Sequence, residues 1–176
     1  MRDLIYYVAV SIDGYIAEAD GSFGRFVWDD EVVADFFASY NWFDTVIMGR
    51  KTYDVALQQG ITDPYPNLKG FVYSKTLTSD PDPNVTLVKG DVREHVIAMK
   101  KEAGKPIWLC GGGDLAGQLL DAQLIDQVII KLNPIILGGG IPLFANSDKF
   151  ARLQLTEIKE YACGISLRHH TVSYEQ

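Results

Sequence analysis

An apolar run from Thr45 to Met48 stops at Gly49 and is followed at once by Arg50, Lys51 and Thr52. That order reads as a buried strand turning tightly into a helix start. A helix start leaves backbone N–H groups unpaired and carries the positive end of the helix dipole, so it suits a phosphate. Arg50 and Lys51 add charge, Thr52 adds a hydroxyl donor, and Gly49 lets an anion approach the backbone. Two further apolar segments end in the same way. Gly70 to Ser74 runs into the polar turn Ser74-Lys75-Thr76, and Pro106 to Cys110 runs into Gly111-Gly112-Gly113 and a helix from about Asp114 to Ala122. Ligands of open α/β sheets bind beyond the carboxyl ends of the strands, so three such turns on one edge converge on a dinucleotide.

The remaining segments fill in the same architecture. Leu4 to Ile12 is almost continuously apolar, as a strand covered on both faces must be, and Asp13-Gly14 turns it into a loop over residues 15–24. Asp29 or Asp30 caps a helix reaching to about Phe43, with Val33, Phe36, Phe37 and Tyr40 on its apolar face. A short helix over Arg50–Leu57, a strand over Val85–Val88, an amphipathic helix over Asp91–Lys101 and a strand over Gln127–Leu132 follow. Residues 134–144 read as a loop, and the tail alternates through Leu153, Leu155, Ile158, then Ile165, Leu167, His169 and Thr171, as paired strands do. The expected fold class is α/β: a mixed, mostly parallel sheet with an antiparallel C-terminal hairpin and helices on both faces.

With 176 residues and no repeat or linker, residues 1–176 are expected to form one domain. No apolar run approaches the roughly 20 residues of a membrane span, and no cleavable leader is recognisable, so a cytoplasmic protein without membrane contact is expected. Cys110 and Cys163 lack metal-site or disulfide spacing, and no metal is expected. The net charge of −7 argues against nucleic acid as a partner and leaves room for a small phosphorylated ligand. Ser74-Lys75, with Arg50 nearby, offers hydroxyl and cationic contacts to an extra phosphate, which favours NADPH over NADH. His95 has no partner in the sequence, and His169-His170 place one ring on each face of a strand. Trp28 and Phe26, ahead of the first helix, would either stack on a planar heterocycle or pack a lid.

Four segments occur in an informative order: Ser11-Ile12-Asp13-Gly14-Tyr15-Ile16-Ala17, Met48 to Tyr53, the Gly111 triplet, and Pro134 to Phe144. Together they resemble the dihydrofolate reductase-like superfamily. The likeness is greatest to the reductase domain of the bifunctional riboflavin-biosynthesis deaminase–reductase. The resemblance implies a three-layer fold and NADPH as cofactor. It also implies cofactor contacts from Gly49, Arg50, Lys51 and Thr52, from Ser74, Lys75 and Thr76, and from Gly111, Gly112, Gly113, Asp114 and Leu115. Val8, Ala9 and Ile16 match positions beside the nicotinamide, and Asp13-Gly14 opens a mobile loop.

The expected activity is hydride transfer from NADPH to a C=N or C=O of a pyrimidine- or pterin-type substrate. It is most like that of 5-amino-6-(5-phosphoribosylamino)uracil reductase. Dihydrofolate reductase activity, or a nucleotide-binding module without turnover, are the alternatives. Proton delivery would come from Asp35, Glu31 or water, with Asp13 as a further candidate carboxylate. The partner is a small-molecule substrate, and the resemblance together with the alternating tail suggests a homodimer.

Overall fold

The computed structural model describes residues 1–80 and 82–174. The strands are β1 (Leu4–Ser11), β2 (Tyr15–Ala17), β3 (Thr45–Gly49), β4 (Lys69–Tyr73), β5 (Val85–Val88), β6 (Ile107–Gly111), β7 (Gln127–Asn133), β8 (Ile141–Pro142), β9 (Arg152–Glu160) and β10 (Ser166–Ser173). The helices are α1 (Asp30–Ser39), α2 (Arg50–Gln58), α3 (Val92–Lys101) and α4 (Gly113–Asp121). Eight strands form one sheet in the order β5-β4-β3-β6-β1-β7-β10-β9. The first six run parallel, and β10 lies antiparallel to both β7 and β9. This is the mixed, mostly parallel sheet with a C-terminal hairpin that the sequence leads one to expect.

The near-continuous apolar character of the central strands is explained by two cores, one on each face. Leu4 and Tyr6 of β1 pack with Val96 and Met99 of α3 and Leu115 and Leu119 of α4. Ile5 and Tyr7 turn the other way, toward Val32 and Phe36 of α1 and Tyr53 of α2. β6 repeats the alternation, with Ile107 and Leu109 in the first core and Trp108 in the second. Trp108 also donates its indole N–H to the Tyr7 carbonyl at 3.1 Å, so the largest buried side chain leaves no polar atom stranded. Burying each of these large side chains contributes on the order of 1.5–3 kcal/mol, which makes the sheet centre a rigid frame.

The helix placement follows from crossover handedness. The chain steps one way along the sheet through β1, β3 and β4, and the other way through β5, β6 and β7. Right-handed connections then send α1 and α2 to one face and α3 and α4 to the other. The reversal falls between β3 and β6, the strands that feed α2 and α4.

Three local expectations change. The first helix ends at Ser39, whose hydroxyl donates back to the Phe36 carbonyl, and a 3₁₀ turn over Tyr40–Trp42 takes the place of the last helical turn. Within the segments read as loops, β2 and β8 pair as a small antiparallel ribbon too short to show periodicity. His95 does have a partner: its Nδ1 lies 2.8 Å from the Tyr73 hydroxyl, across α3 and β4. The two histidines of β10 do part company, His169 against Trp42 and His170 Nδ1 by the Val128 carbonyl, at a bulge in the hairpin.

Candidate functional site

Helix caps separate the four helices into two kinds. Asp29 caps α1 by accepting from the Glu31 and Val32 N–H groups, and Asp91 caps α3 by accepting from Arg93 and Glu94. α2 and α4 instead start from Gly49 and Gly112, with no side-chain cap. Those two are the helices that flank the reversal of strand order. Their first-turn N–H groups and their dipoles are therefore available to an anion at the place where open sheets bind ligands.

The two turns also touch. A Cβ built on Gly49 would lie 3.7 Å from the Gly112 nitrogen, and one on Gly112 would lie 3.2 Å from Thr52 Oγ1. A side chain at Gly112 would thus crowd the space over Thr52, while glycine leaves the backbone open to a ligand. The Gly111–Gly112 peptide bond is cis. Above the turns lies a cleft of about 1600 Å³.

Most residues expected to contact a cofactor line this cleft: Val8, Ile16, Gly49 to Thr52, Ser74, Lys75 and Gly111 to Leu115. Ala9 and Thr76 do not. Ala9 points to the α1 face, as Tyr7 does, because side chains alternate along β1. Thr76 braces the turn after β4. Its N–H donates to Ser74 Oγ at 3.1 Å, beside the Leu77 N–H at the same distance, and its hydroxyl takes Arg50 Nη1 at 3.3 Å. Ser74 Oγ is thereby occupied in holding the turn. Arg50 is also tied to Asp54 one turn along α2. Asp114 brings a carboxylate to the first turn of α4, held by Asn146, so α4 would offer a phosphate its N–H groups alone.

Two cleft cations lie outside the expected set. Lys89 and Arg93 follow β5 and line the cleft beside Ser74, whose N–H donates to the Val88 carbonyl at 3.2 Å. Lys89-Gly90-Asp91 has the same strand–turn–helix form as the strand ends at Gly49 and Gly111, and that form is the signal that could have found them. With Lys75, these make a basic rim at the end of the cleft bounded by β4 and β5.

The family model of the RibD C-terminal domain matches residues 2–167. The chain belongs to that family. YwjB of Bacillus subtilis (strain 168), itself uncharacterized, is 33% identical over 172 residues, with 96% of this chain and 97% of the relative covered. RibD of Haemophilus influenzae matches more narrowly, 31% identical over 96 residues, or 49% of this chain and 25% of that protein. A crystal structure from Shewanella sp. PV-4, of a protein whose assignment to riboflavin biosynthesis is itself provisional, superposes with a TM-score of 0.83 at 27% identity. It covers 97% of this chain and 99% of the other. A pyrimidine reductase-like protein of Corynebacterium diphtheriae shares the fold, with a TM-score of 0.69 at 15% identity, over 99% of this chain and 93% of the other. The fold is therefore dihydrofolate reductase-like, and the family is a riboflavin-pathway reductase type. Among the described residues, no helix is long and apolar enough to cross a membrane.

Within this RibD-type frame the three candidate carboxylates stand away from the cleft lining. Glu31 and Asp35 do share one side of α1, as their spacing requires, but that side faces β9. Lys159 Nζ reaches Glu31 at 3.0 Å and Asp35 at 2.5 Å, and the Tyr161 hydroxyl donates to Asp35 at 2.7 Å. The Lys159 ammonium and the Tyr161 hydroxyl hold the Asp35 carboxyl below the usual carboxylate range, the opposite of what a general acid needs. Asp13 accepts from the Leu137 and Gly138 N–H groups and pins the 134–140 loop to the β1–β2 turn. All three carboxylates thus bridge separate segments of the chain in this fold.

The Asp35 contacts set a stability test. Its folded-state pKa lies below the unfolded value of about 3.9, so its contribution is present above that pH and is lost as pH falls through the folded value. Asp35→Asn is expected to flatten the acid limb of the urea midpoint measured against pH. An acid limb as steep as that of the parent protein would contradict the assignment.

Proposed function

We propose that the protein is an NADPH-dependent reductase of a C=N or C=O in a pyrimidine- or pterin-type substrate, and that 5-amino-6-(5-phosphoribosylamino)uracil reduction is the family reaction to test first. The observation that carries this reading is the pair of uncapped helix starts, Gly49 to Thr52 and Gly112 to Leu115, meeting at the reversal of strand order under one cleft.

The residues present fit a dinucleotide. The first turns of α2 and α4 would hold the pyrophosphate through N–H groups, with Lys51 and the Thr52 hydroxyl alongside. Lys75, Lys89 and Arg93 would take the 2′-phosphate that distinguishes NADPH from NADH. The nicotinamide end then lies toward Val8, Ile16 and Cys110. Cys110 is half-buried, its thiol is pushed up to about 11 by desolvation, and its Sγ lies 3.4 Å from the Tyr65 hydroxyl, so it serves as neutral wall. Residues 19–24 line the mouth and would exclude water on closing. The bound cofactor supplies the hydride; the chain supplies position, water exclusion and charge.

The reading is tested by following loss of reduced nicotinamide absorbance with the ribosylaminopyrimidine phosphate and with dihydrofolate. Oxidation with either supports a reductase and ranks the two substrate classes. NADPH binding without oxidation by either would leave a binding module.

A further inference from the structure

Lys131 sits on β7 in register with Ala9 of β1 and Leu167 of β10, among residues that otherwise build the core facing α1. Its Nζ lies 5.2 Å from the Phe36 ring centre and 6.0 Å from that of Trp28. Among the described residues its Nζ makes no ion pair and no hydrogen bond. Lys100, which is buried, shows what a structural lysine does here, bonding to both Asp126 and the Leu124 carbonyl. Ring faces attract the Lys131 charge but accept none of its N–H groups fully, so its donors remain to be filled.

The charged groups around it are committed elsewhere. Glu31 and Asp35 of α1 are held by Lys159 of β9, and His169 of β10 packs on Trp42. Burial alone pulls the lysine below its usual value, with no carboxylate to offset it. A leucine or methionine would fill the same space without that cost. The cluster meets the cleft at its mouth: Phe23 lines the cleft, and its ring lies 6.2 Å from that of Trp28. Trp28 is 64% exposed, an open ring face beside an unfilled donor.

We propose that Lys131, Phe36 and Trp28 form a substrate pocket adjoining the mouth of the cleft beside Phe23, taking a planar heterocycle that stacks on Trp28 and presents a lactam carbonyl oxygen to the Lys131 ammonium. This rests on the reductase reading. A single cation recessed between rings suits one carbonyl oxygen better than a hydrated phosphate dianion, which needs several donors. It also suits the reaction, because negative charge spreads onto a conjugated carbonyl oxygen as a C=N carbon, in the ring or attached to it, accepts a hydride, and a fixed cation stabilises it.

Lumazine, a fluorescent pteridine dione carrying lactam carbonyls, is a direct probe. It is titrated into the protein saturated with NADP⁺, using the parent chain, Lys131→Met and Lys131→Arg. Lys131→Met is expected to weaken lumazine binding about tenfold or more, the loss of one charge-assisted hydrogen bond, and Lys131→Arg to weaken it less. NADP⁺ affinity is expected to change by less than about twofold, since the basic rim is untouched. The urea midpoint of Lys131→Met is expected to hold or rise, because a desolvated charge is removed. Equal lumazine affinity in Lys131→Met, no lumazine binding by the parent chain, or a lowered midpoint that accounts for the loss would each overturn the proposal. Failure of the parent chain to bind NADP⁺ would overturn the reductase reading, and this inference with it.

Discussion

Replacing Gly117 with alanine is expected to cost about 3 kcal/mol of stability, read as a fall in the urea midpoint. Gly117 lies on the buried face of α4, and a Cβ there would land on the Ala145 carbonyl oxygen. The obstacle is backbone on both sides, so no rotamer change relieves it. Gly113, one turn earlier, faces the Pro142 carbonyl in the same way, and the Ala145 N–H donates to the Gly113 carbonyl at 3.0 Å. α4 is thus seated on the 142–145 segment by close backbone approach, and pushing it off displaces one of the two proposed phosphate-binding helix starts. NADPH affinity should fall together with stability. Gly90→Ala is the control: no atom lies within 4 Å of the place its methyl would take, and a midpoint shift below about 0.5 kcal/mol is expected. Equal midpoints for the two variants would contradict the close packing.

Lys51→Glu is expected to weaken NADPH binding about 100-fold, near 3 kcal/mol, with little change in stability. Lys51 is an exposed first-turn residue of α2 that lines the cleft at an uncapped helix start. Reversal removes a cation beside the proposed pyrophosphate and sets a carboxylate against it. The same carboxylate suits the helix dipole in the free protein, so the apo chain should not suffer. That split between affinity and stability is the signature. Unchanged affinity would mean that the phosphates lie elsewhere.

The parts of this molecule readable in its sequence are those where burial imposes a continuous signal. β1, β3 and β6 are covered on both faces, so Leu4 to Val10, Val46 to Met48 and Ile107 to Leu109 show as apolar runs. The glycine starts behind β3 and β6, and a capped start at Asp29 or Asp30, follow from local chemistry alone; the structure puts the caps at Gly49, Gly112 and Asp29. What the sequence hides depends on neighbours far away in the chain. Lys89 has a local strand–turn–helix signal, but that it lies beside Ser74 follows from the pairing of Val88 with Tyr73 across parallel strands, a register that no local pattern encodes. Lys131 looks like the outward residue of an alternating strand until its pairing with Ala9 and the covering α1 turn it inward. The spacing of Glu31 and Asp35 puts both on one side of α1, but which way that side faces is settled by Lys159, more than a hundred residues later.

The measurement that bears most directly on the central claim is a calorimetric titration of the parent chain with NADPH and, separately, with NADH. The account predicts one NADPH bound per chain, about tenfold or more tighter than NADH, since the rim of Lys75, Lys89 and Arg93 adds charge-assisted contacts to the 2′-phosphate. Equal affinities would contradict the assignment of that rim, and no heat with either nucleotide would contradict the dinucleotide site itself.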